Sequence, residues 1–302
     1  MSFYNKKNVV VTGAAGITGQ SMVRRLLDEG ANVRAVVFSN RLLNIEHKRL
    51  EIVQYNLMNH DDCMLSVKDM DVCFNFVAYI RGAKGQSESK NALNLVRNNL
   101  FPSINMFDAA VQSKLDRFGF IGSSTMYPDV IHKVNEEKAY DGVPHKLYSG
   151  VGWMKRYSEK VVEYYNDISS TKFGIVRTTA IFGPHDAFNE NGHAIPQLIL
   201  KADSGMNPFE VWGDGTQTRD FITPKRTIVD PTGLISNQGC SLSNFPIYSQ
   251  EVPISQWNIK NGQSIFGTGD NEWVTEGNGG YAVSYTHLRA HETGRNLVCR
   301  LL

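Results

Sequence analysis

The sequence predicts an α/β fold, a doubly wound parallel sheet covered by helices, and three observations carry that expectation. Short β-branched runs alternate with longer stretches of helical periodicity. A glycine-rich turn follows the first run directly. The 302 residues suffice for a nucleotide-binding core plus a smaller lobe.

Taken in order, the runs read as strands are Val9 to Thr12, Val33 to Phe38, Ile52 to Tyr55, Val72 to Ala78, Phe118 to Gly122 and Phe173 to Arg177. Each is short and rich in residues that suit a buried, pleated backbone. Between them, Gly19 to Glu29, Leu93 to Ser113 and Lys155 to Tyr165 carry apolar residues at helical spacing. Strands joined through helices run parallel, and ligands of such sheets gather outside the carboxyl ends of the strands. Chemistry is therefore expected just past each run.

Composition narrows the partner. With 31 basic and 30 acidic residues there is no charge excess to draw nucleic acid or an anionic membrane surface, so a small polar ligand is expected. No stretch reaches the ~18 apolar residues of a membrane span. The opening MSFYNKKNVVVTG runs straight into a strand without an export signal, and the expected location is cytoplasmic. Cys63, Cys73, Cys240 and Cys299 lie far apart without paired metal spacing, so no metal site is expected, and Cys73 should pack as a small hydrophobe.

The segment VVVTGAAGITGQ puts Gly13, Gly16 and Gly19 between the first strand and its helix, with Ala15 and Ile17 in the same loop. Missing side chains let a backbone approach a pyrophosphate, and the amides opening the helix face the anion. A tight turn with close helix packing is the plainer use of the same glycines. The strand-loop-helix context favours a dinucleotide and hence a Rossmann-type core. At the end of the second strand, where a carboxylate would bind the ribose hydroxyls of NAD, the chain reads Phe38, Ser39, Asn40, Arg41. Arg41 suits a 2′-phosphate, so NADP is the favoured coenzyme and NAD the alternative. Asn56 and Leu57 follow the third strand, Ala78 ends the fourth run, and all three are placed along the cofactor.

FGFIGSSTMYP delivers Ser123, Ser124 and Thr125 to the carboxyl edge of the sheet, where hydroxyls can hydrogen-bond a sugar oxygen. The GxxGxxG spacing, GSSxxYP, a lysine-bearing helix, IFGPHDAFNENGHAIPQLI and EVWGDGTQTRDF follow in this order. Together they resemble the extended short-chain dehydrogenase/reductase family, and within it the NAD-dependent epimerase/dehydratases of the GDP-fucose synthase type, over roughly residues 8 to 222.

The resemblance implies an enzyme that exchanges hydride between nicotinamide and a nucleotide-sugar carbon, with a tyrosine and a lysine one helical turn apart handling the proton. A phenol near pKa 10 is a poor base at neutral pH unless a cation stabilises its phenolate. Lys155 matches the lysine, but the tyrosine slot four residues earlier is Val151, in LYSGVGWMKRYSEK. Tyr148 lies seven residues before Lys155, ~10 Å along a continuous helix. Were the helix to begin only near Gly152, the Tyr148 hydroxyl could reach Lys155 and Ser124; otherwise Tyr148 packs against a loop.

Relatives that epimerise beside a ketone use a cysteine where this chain has Thr125, and a histidine matched here by His193. A histidine suits acid/base work near neutrality, while capping the following helix is its plainer use. The resemblance gives Asn99 an ordering role on the central helix, Arg219 a clamp on the substrate diphosphate, and helices Leu93 to Ser113 and Lys155 to Tyr165 a homodimer contact. Ala180 stands where relatives carry an asparagine. Residues 1–184 are thus expected to form the dinucleotide-binding domain and 185–222 an incomplete substrate lobe. The stretch 223–302 is expected to be an irregular tail, whose closing VSYTHLRAHETGRNLVCRLL resembles a translated sequencing adaptor and so non-native sequence. A second class of function, a coenzyme-holding scaffold or sensor whose catalytic slot has decayed, is consistent with Val151 and Thr125; the enzyme is the first reading.

Overall fold

A computed structural model of the chain describes residues 2–38, 43–80, 89–128, 136–189, 192–209, 221–222 and 297–301. Its strands are β1 (Asn8–Thr12), β2 (Asn32–Val37), β3 (Leu50–Gln54), β4 (Val72–Asn75), β5 (Arg117–Ile121), β6 (Lys172–Thr178), β7 (Ala180–Ile181), β8 (Phe221–Ile222) and β9 (Leu297–Leu301). The α-helices are α1 (Ile17–Asp28), α2 (His60–Val67), α3 (Ser89–Gln112), α4 (Ser149–Ile168) and α5 (Ala194–Asp203).

Seven strands form one sheet in the order β3-β2-β1-β4-β5-β6-β9. The first six pair in parallel and β9 runs antiparallel along β6. The chain leaves β1 toward β2 and β3 on one side, then crosses back to β4 on the other. The crevice outside β1 and β4 is therefore the topological switch point, where ligands of such sheets bind. A short parallel pair, β7 with β8, lies apart.

Because strand side chains alternate between faces, β1 contributes to two cores. Val9 and Val11 pack with Met22, Val23 and Leu26 of α1 on one face. Val10 packs with Cys63 and Val67 of α2, Met106 and Phe107 of α3 and Val162 of α4 on the other. Phe107 meets Phe118, Phe120 and Phe173 edge to face at 5.4, 5.1 and 6.0 Å, an arrangement favoured by the ring quadrupoles. Cys63 and Cys73 are free and buried there, as small hydrophobes would be.

One expectation needs correction, one alternative left open is decided, and one helix went unread. Strand β4 ends at Asn75 and not at Ala78, because the Asn75 carboxamide accepts the Val77 amide at 3.2 Å and turns the chain. Helix α4 starts at Ser149 and not near Gly152, although glycine disfavours helix, because Gly150 and Gly152 pack closely against Val96 and Pro144. Helix α2 was not foreseen; its eight residues have weak periodicity, and Asn59 caps it by accepting from the Asp61 amide at 2.8 Å. Within 223–302, residues 297–301 form β9, and the remainder lies outside the described residues.

Candidate active site

The glycine loop is held open at the switch point. Gly13 has φ +63°, and a Cβ there would lie 2.6 Å from the Phe76 carbonyl oxygen, so neither the conformation nor the space admits a side chain. A Cβ on Gly19 would lie 2.2 Å from the Gly13 oxygen, which presses α1 against its own entry loop. Gly16 is the N-cap in extended conformation and has no side chain to satisfy the first amides, and no acidic residue occupies the first turn. Ala15 and Ile17, both half-buried, flank it.

These features fit a dinucleotide pyrophosphate: a cradle any Cβ would fill, and an uncapped helix start facing the sheet's carboxyl edge. Beneath the loop, Thr12 Oγ1 donates to Asn75 Oδ1 at 2.6 Å, tying β1 to β4. Asn75 is 1% exposed, and its Nδ2 lacks a hydrogen-bond partner. A buried donor beside an open cradle leaves the crevice polar where an anion would rest.

Past β4, Asn99 on α3 grips the chain from both sides. Its Oδ1 accepts the Tyr79 amide at 2.9 Å and its Nδ2 donates to the carbonyls of Tyr79 and Leu95 at 3.0 and 2.7 Å. These contacts tie α3 to the chain after β4, in which Ala78 is exposed. Asn56 is exposed and accepts the Met58 amide at 3.1 Å, while Leu57 is buried in the core. Arg41 and Arg219 lie outside the described residues.

The exit of β5 is a 3-10 turn, Ser124–Met126, capped by Ser123. Ser123 Oγ accepts from both the amide and the hydroxyl of Thr125, at 3.2 and 2.9 Å. Ser123, Ser124 and Thr125 are all half-buried at the sheet's carboxyl edge. Opposite them Lys155, 7% exposed, donates from Nζ to the Ile121 carbonyl at 2.7 Å and lies 4.5 Å from the Phe120 ring centre. Burial pulls its pKa down to about 8, with Glu159 opposing that shift.

One turn before Lys155, Val151 is half-buried. Tyr148 ends a 3-10 turn, Lys146–Tyr148, and is the N-cap of α4. Its ring is buried with Met126, Tyr127 and Ala139 and lies 5.8 Å from the His145 ring. With α4 continuous from Ser149, the two-turn separation of ~10 Å between Tyr148 and Lys155 stands, and the late helix start that would close it does not occur.

His193 is the N-cap residue of α5 but its side chain makes no capping hydrogen bond, so helix capping does not account for it. Burial lowers its pKa, and the Asp186 carboxylate partly opposes this. It is therefore a mostly neutral imidazole at pH 7, able to take a proton.

Sequence reasoning missed the polar core under this site. Arg177 of β6 and Glu159 of α4, each with a side chain 1% exposed, form a two-pronged pair: Nε lies 3.0 Å from Oε1 and Nη2 lies 2.7 Å from Oε2. The Tyr140 hydroxyl donates to Glu159 Oε2 at 2.7 Å, and Arg177 Nη1 donates to the Tyr127 hydroxyl at 3.3 Å. Burial and the Glu159 charge hold the Tyr140 phenol well above its usual range. A Cβ on Gly122 would come within 3.1 Å of Glu159 Oε1, so the chain after β5 rests on this pair. Arg156 was missed as well: it donates to three backbone carbonyls, of Met126, Gly142 and Asp141. The missing cue was a buried charge on α4 adjacent in sequence to a second one, Lys155.

Fold and loop together define a Rossmann-type dinucleotide-binding protein with a lysine-bearing helix beside its switch point. More particularly, the chain belongs to the NAD dependent epimerase/dehydratase family, whose model matches residues 9–225. It is similar to GDP-mannose 3,5-epimerase 1 of Oryza sativa subsp. indica, at 27% identity over 223 residues, covering 72% of this chain and 58% of that protein. It is also similar to GDP-L-fucose synthase of Escherichia coli K12, at 26% identity over 224 residues, covering 72% and 66%. Among solved structures it resembles a UDP-N-acetylglucosamine 4-epimerase from Methanobrevibacter ruminantium M1, with 27% identity, TM-score 0.64 and coverage of 74% and 70%. A GDP-L-fucose synthetase from Naegleria fowleri bound to NADP shares the fold at 21% identity, TM-score 0.62, covering 75% and 67%. The chain spans 58% of the length of the rice relative. Among the described residues no helix is long and apolar enough to cross a membrane, and no cluster of His, Cys, Asp and Glu is arranged to hold a metal.

Proposed function

We propose that this protein is an NAD(P)-dependent nucleotide-sugar epimerase/reductase of the GDP-L-fucose synthase type. The observation that carries this reading is the buried Lys155 ammonium at the carboxyl end of β5, on the same sheet edge as the open glycine loop and beside the Ser123-Ser124-Thr125 turn. When bound, the coenzyme supplies or accepts hydride at a sugar carbon.

In this reading the loop from Gly13 to Gly19 holds the pyrophosphate, Lys155 presents its charge to the nicotinamide ribose, and Ser124 hydrogen-bonds the sugar. Proton transfer falls to His193, since Val151 has no proton to give and Tyr148 packs in the loop cluster with Met126, Tyr127 and Ala139, two helical turns from Lys155. NADP is favoured over NAD because the sequence that follows β2 carries Arg41 and no adjacent carboxylate, and Arg219 is the residue proposed for the substrate diphosphate. A homodimer is supported by the outward stripe of Trp153, Tyr157, Tyr164 and Ile168 on α4, all about half exposed, alongside Phe101 of α3. Free, buried Cys63 and Cys73 suit a cytoplasmic setting.

The rival reading, a coenzyme-holding scaffold, is favoured by one observation, the apolar Val151 in the proton-transfer slot. Incubation with NADPH and a GDP-4-keto-sugar separates the two. Turnover by the parent protein that Lys155→Met abolishes, and that His193→Asn lowers, supports the enzyme; coenzyme binding without turnover in any of the three supports the scaffold.

A further inference from the structure

Helix α4 meets the exit of β5 at three positions, Gly152, Lys155 and Arg156, and the last serves two segments at once. Lys155 takes the Ile121 carbonyl. Gly152 makes room for the Thr125 carbonyl, whose oxygen would lie 2.6 Å from a Cβ at that position. Arg156, one turn beyond Gly152 on the same face, donates from Nε to the Met126 carbonyl at 2.8 Å. Its other two nitrogens reach a different stretch of chain: Nη1 donates to the Gly142 carbonyl at 2.8 Å and Nη2 to the Asp141 carbonyl at 3.1 Å. The guanidinium is 4.9 Å from the Trp153 ring centre, and the residue is only 5% exposed.

The two segments also touch each other. Pro128 and Pro144 form an antiparallel bridge, and the Gly152 position packs against Pro144 as well as Thr125. Proline carries no amide hydrogen, so neither Pro128 nor Pro144 is itself a donor in this bridge. The three N–H groups of the planar Arg156 fork add to it a direct tie from both segments to α4.

We propose that Arg156 is a positioning residue that fastens the Ser123–Met126 turn and the Asp141–Pro144 segment to α4 as one unit, setting the hydroxyls of Ser123, Ser124 and Thr125 in register with Lys155. Arg156 touches no reacting atom; it acts through the backbone of Met126. A lysine in its place is a single point donor and cannot reach three carbonyls on two segments. Removing the guanidinium leaves the buried Met126 carbonyl without this donor and releases the carbonyls of Asp141 and Gly142, which loosens both segments together.

The test is amide hydrogen exchange on the full chain with Arg156→Met and Arg156→Lys. The amides of Thr125, Met126 and Tyr127, bonded within the first turn, and that of Asp141, bonded to the Lys138 carbonyl, are expected to exchange at least tenfold faster in Arg156→Met and to an intermediate extent in Arg156→Lys. Sheet amides such as Val10 and Phe118 should be unchanged. Faster exchange spread evenly through the sheet, acceleration in only one of the two segments, or no change in either overturns the proposal. Should Arg156→Met not fold, the same comparison is decided on Arg156→Lys.

A kinetic consequence rests on the enzyme reading above: the NADPH dissociation constant, from coenzyme fluorescence, stays within about twofold of the parent while kcat on a GDP-4-keto-sugar falls tenfold or more with little change in KM. A parent protein without turnover defeats the enzyme reading and leaves the exchange result to decide the role of Arg156.

Discussion

The Nζ of Lys155 lies 2.7 Å from the carbonyl oxygen of Ile121, so the one cation on α4 that the sequence singled out is anchored at the last residue of β5. That contact places an ammonium at the sheet's carboxyl edge, beside the turn that carries Ser124. It also keeps the charge in a desolvated setting, which gives the first prediction its sign.

Lys155 has its pKa lowered from 10.5 to about 8 by burial. Between about pH 8 and 10.5 the unfolded chain binds this proton and the folded chain does not, so stability attributable to this group rises with pH across that window. Below pH 8 the cost of burying the charge is fully present. Denaturant melts of the parent against Lys155→Met should show the parent gaining relative stability from pH 8 to 10; a pH-independent difference contradicts the burial of a charged amine.

The buried Glu159–Arg177 pair is expected to be costly to break. Removing one partner leaves the other charge uncompensated in the core, a loss of roughly 3–5 kcal/mol. Glu159→Gln and Arg177→Met should each lower the denaturation midpoint accordingly, and the double variant should lose less than the sum of the two. Additive losses would show that the two side chains are not coupled.

Much of the sheet was legible because parallel strands buried on both faces read as β-branched runs, as in Val9 to Thr12. The glycine loop was legible because Gly13 needs both a positive φ and empty space beside Phe76, requirements only glycine meets. The start of α4 was not: Gly150 and Gly152 lower helix propensity, yet Gly152 is what lets the helix approach Pro144 and Thr125. Tertiary packing overrode local preference there. The Glu159–Arg177 and Arg156 contacts were invisible because they join a helix to residues 14 to 30 positions away, a spacing no periodicity encodes.

Val151→Tyr tests the empty proton slot by filling it. Position 151 lies one turn before Lys155 on the same face of α4 and is half-buried, so a phenol there faces the ammonium. The added tyrosine should titrate below 10 by ultraviolet difference spectroscopy, since a cation favours phenolate. It should also raise turnover with NADPH and a GDP-4-keto-sugar at least tenfold. An unshifted phenol would mean that position 151 does not face Lys155.

For His193, lowered in pKa by burial, the neutral base form persists below pH 6.5. Its role predicts an acid limb of the kcat/KM profile falling below that value, removed in His193→Asn together with about 10²-fold or more of the rate. A profile identical in the variant would assign the proton elsewhere.

Calorimetric titration of the folded chain with NADP⁺ and NADPH tests the central claim most directly, that the amides opening α1 hold a dinucleotide pyrophosphate and so bring the nicotinamide ribose to Lys155. Saturable uptake is predicted, abolished in Gly19→Ala, whose new Cβ would meet the Gly13 oxygen at 2.2 Å, and weakened in Lys155→Met. Folded protein that takes up neither the oxidised nor the reduced coenzyme, NAD included, would contradict it.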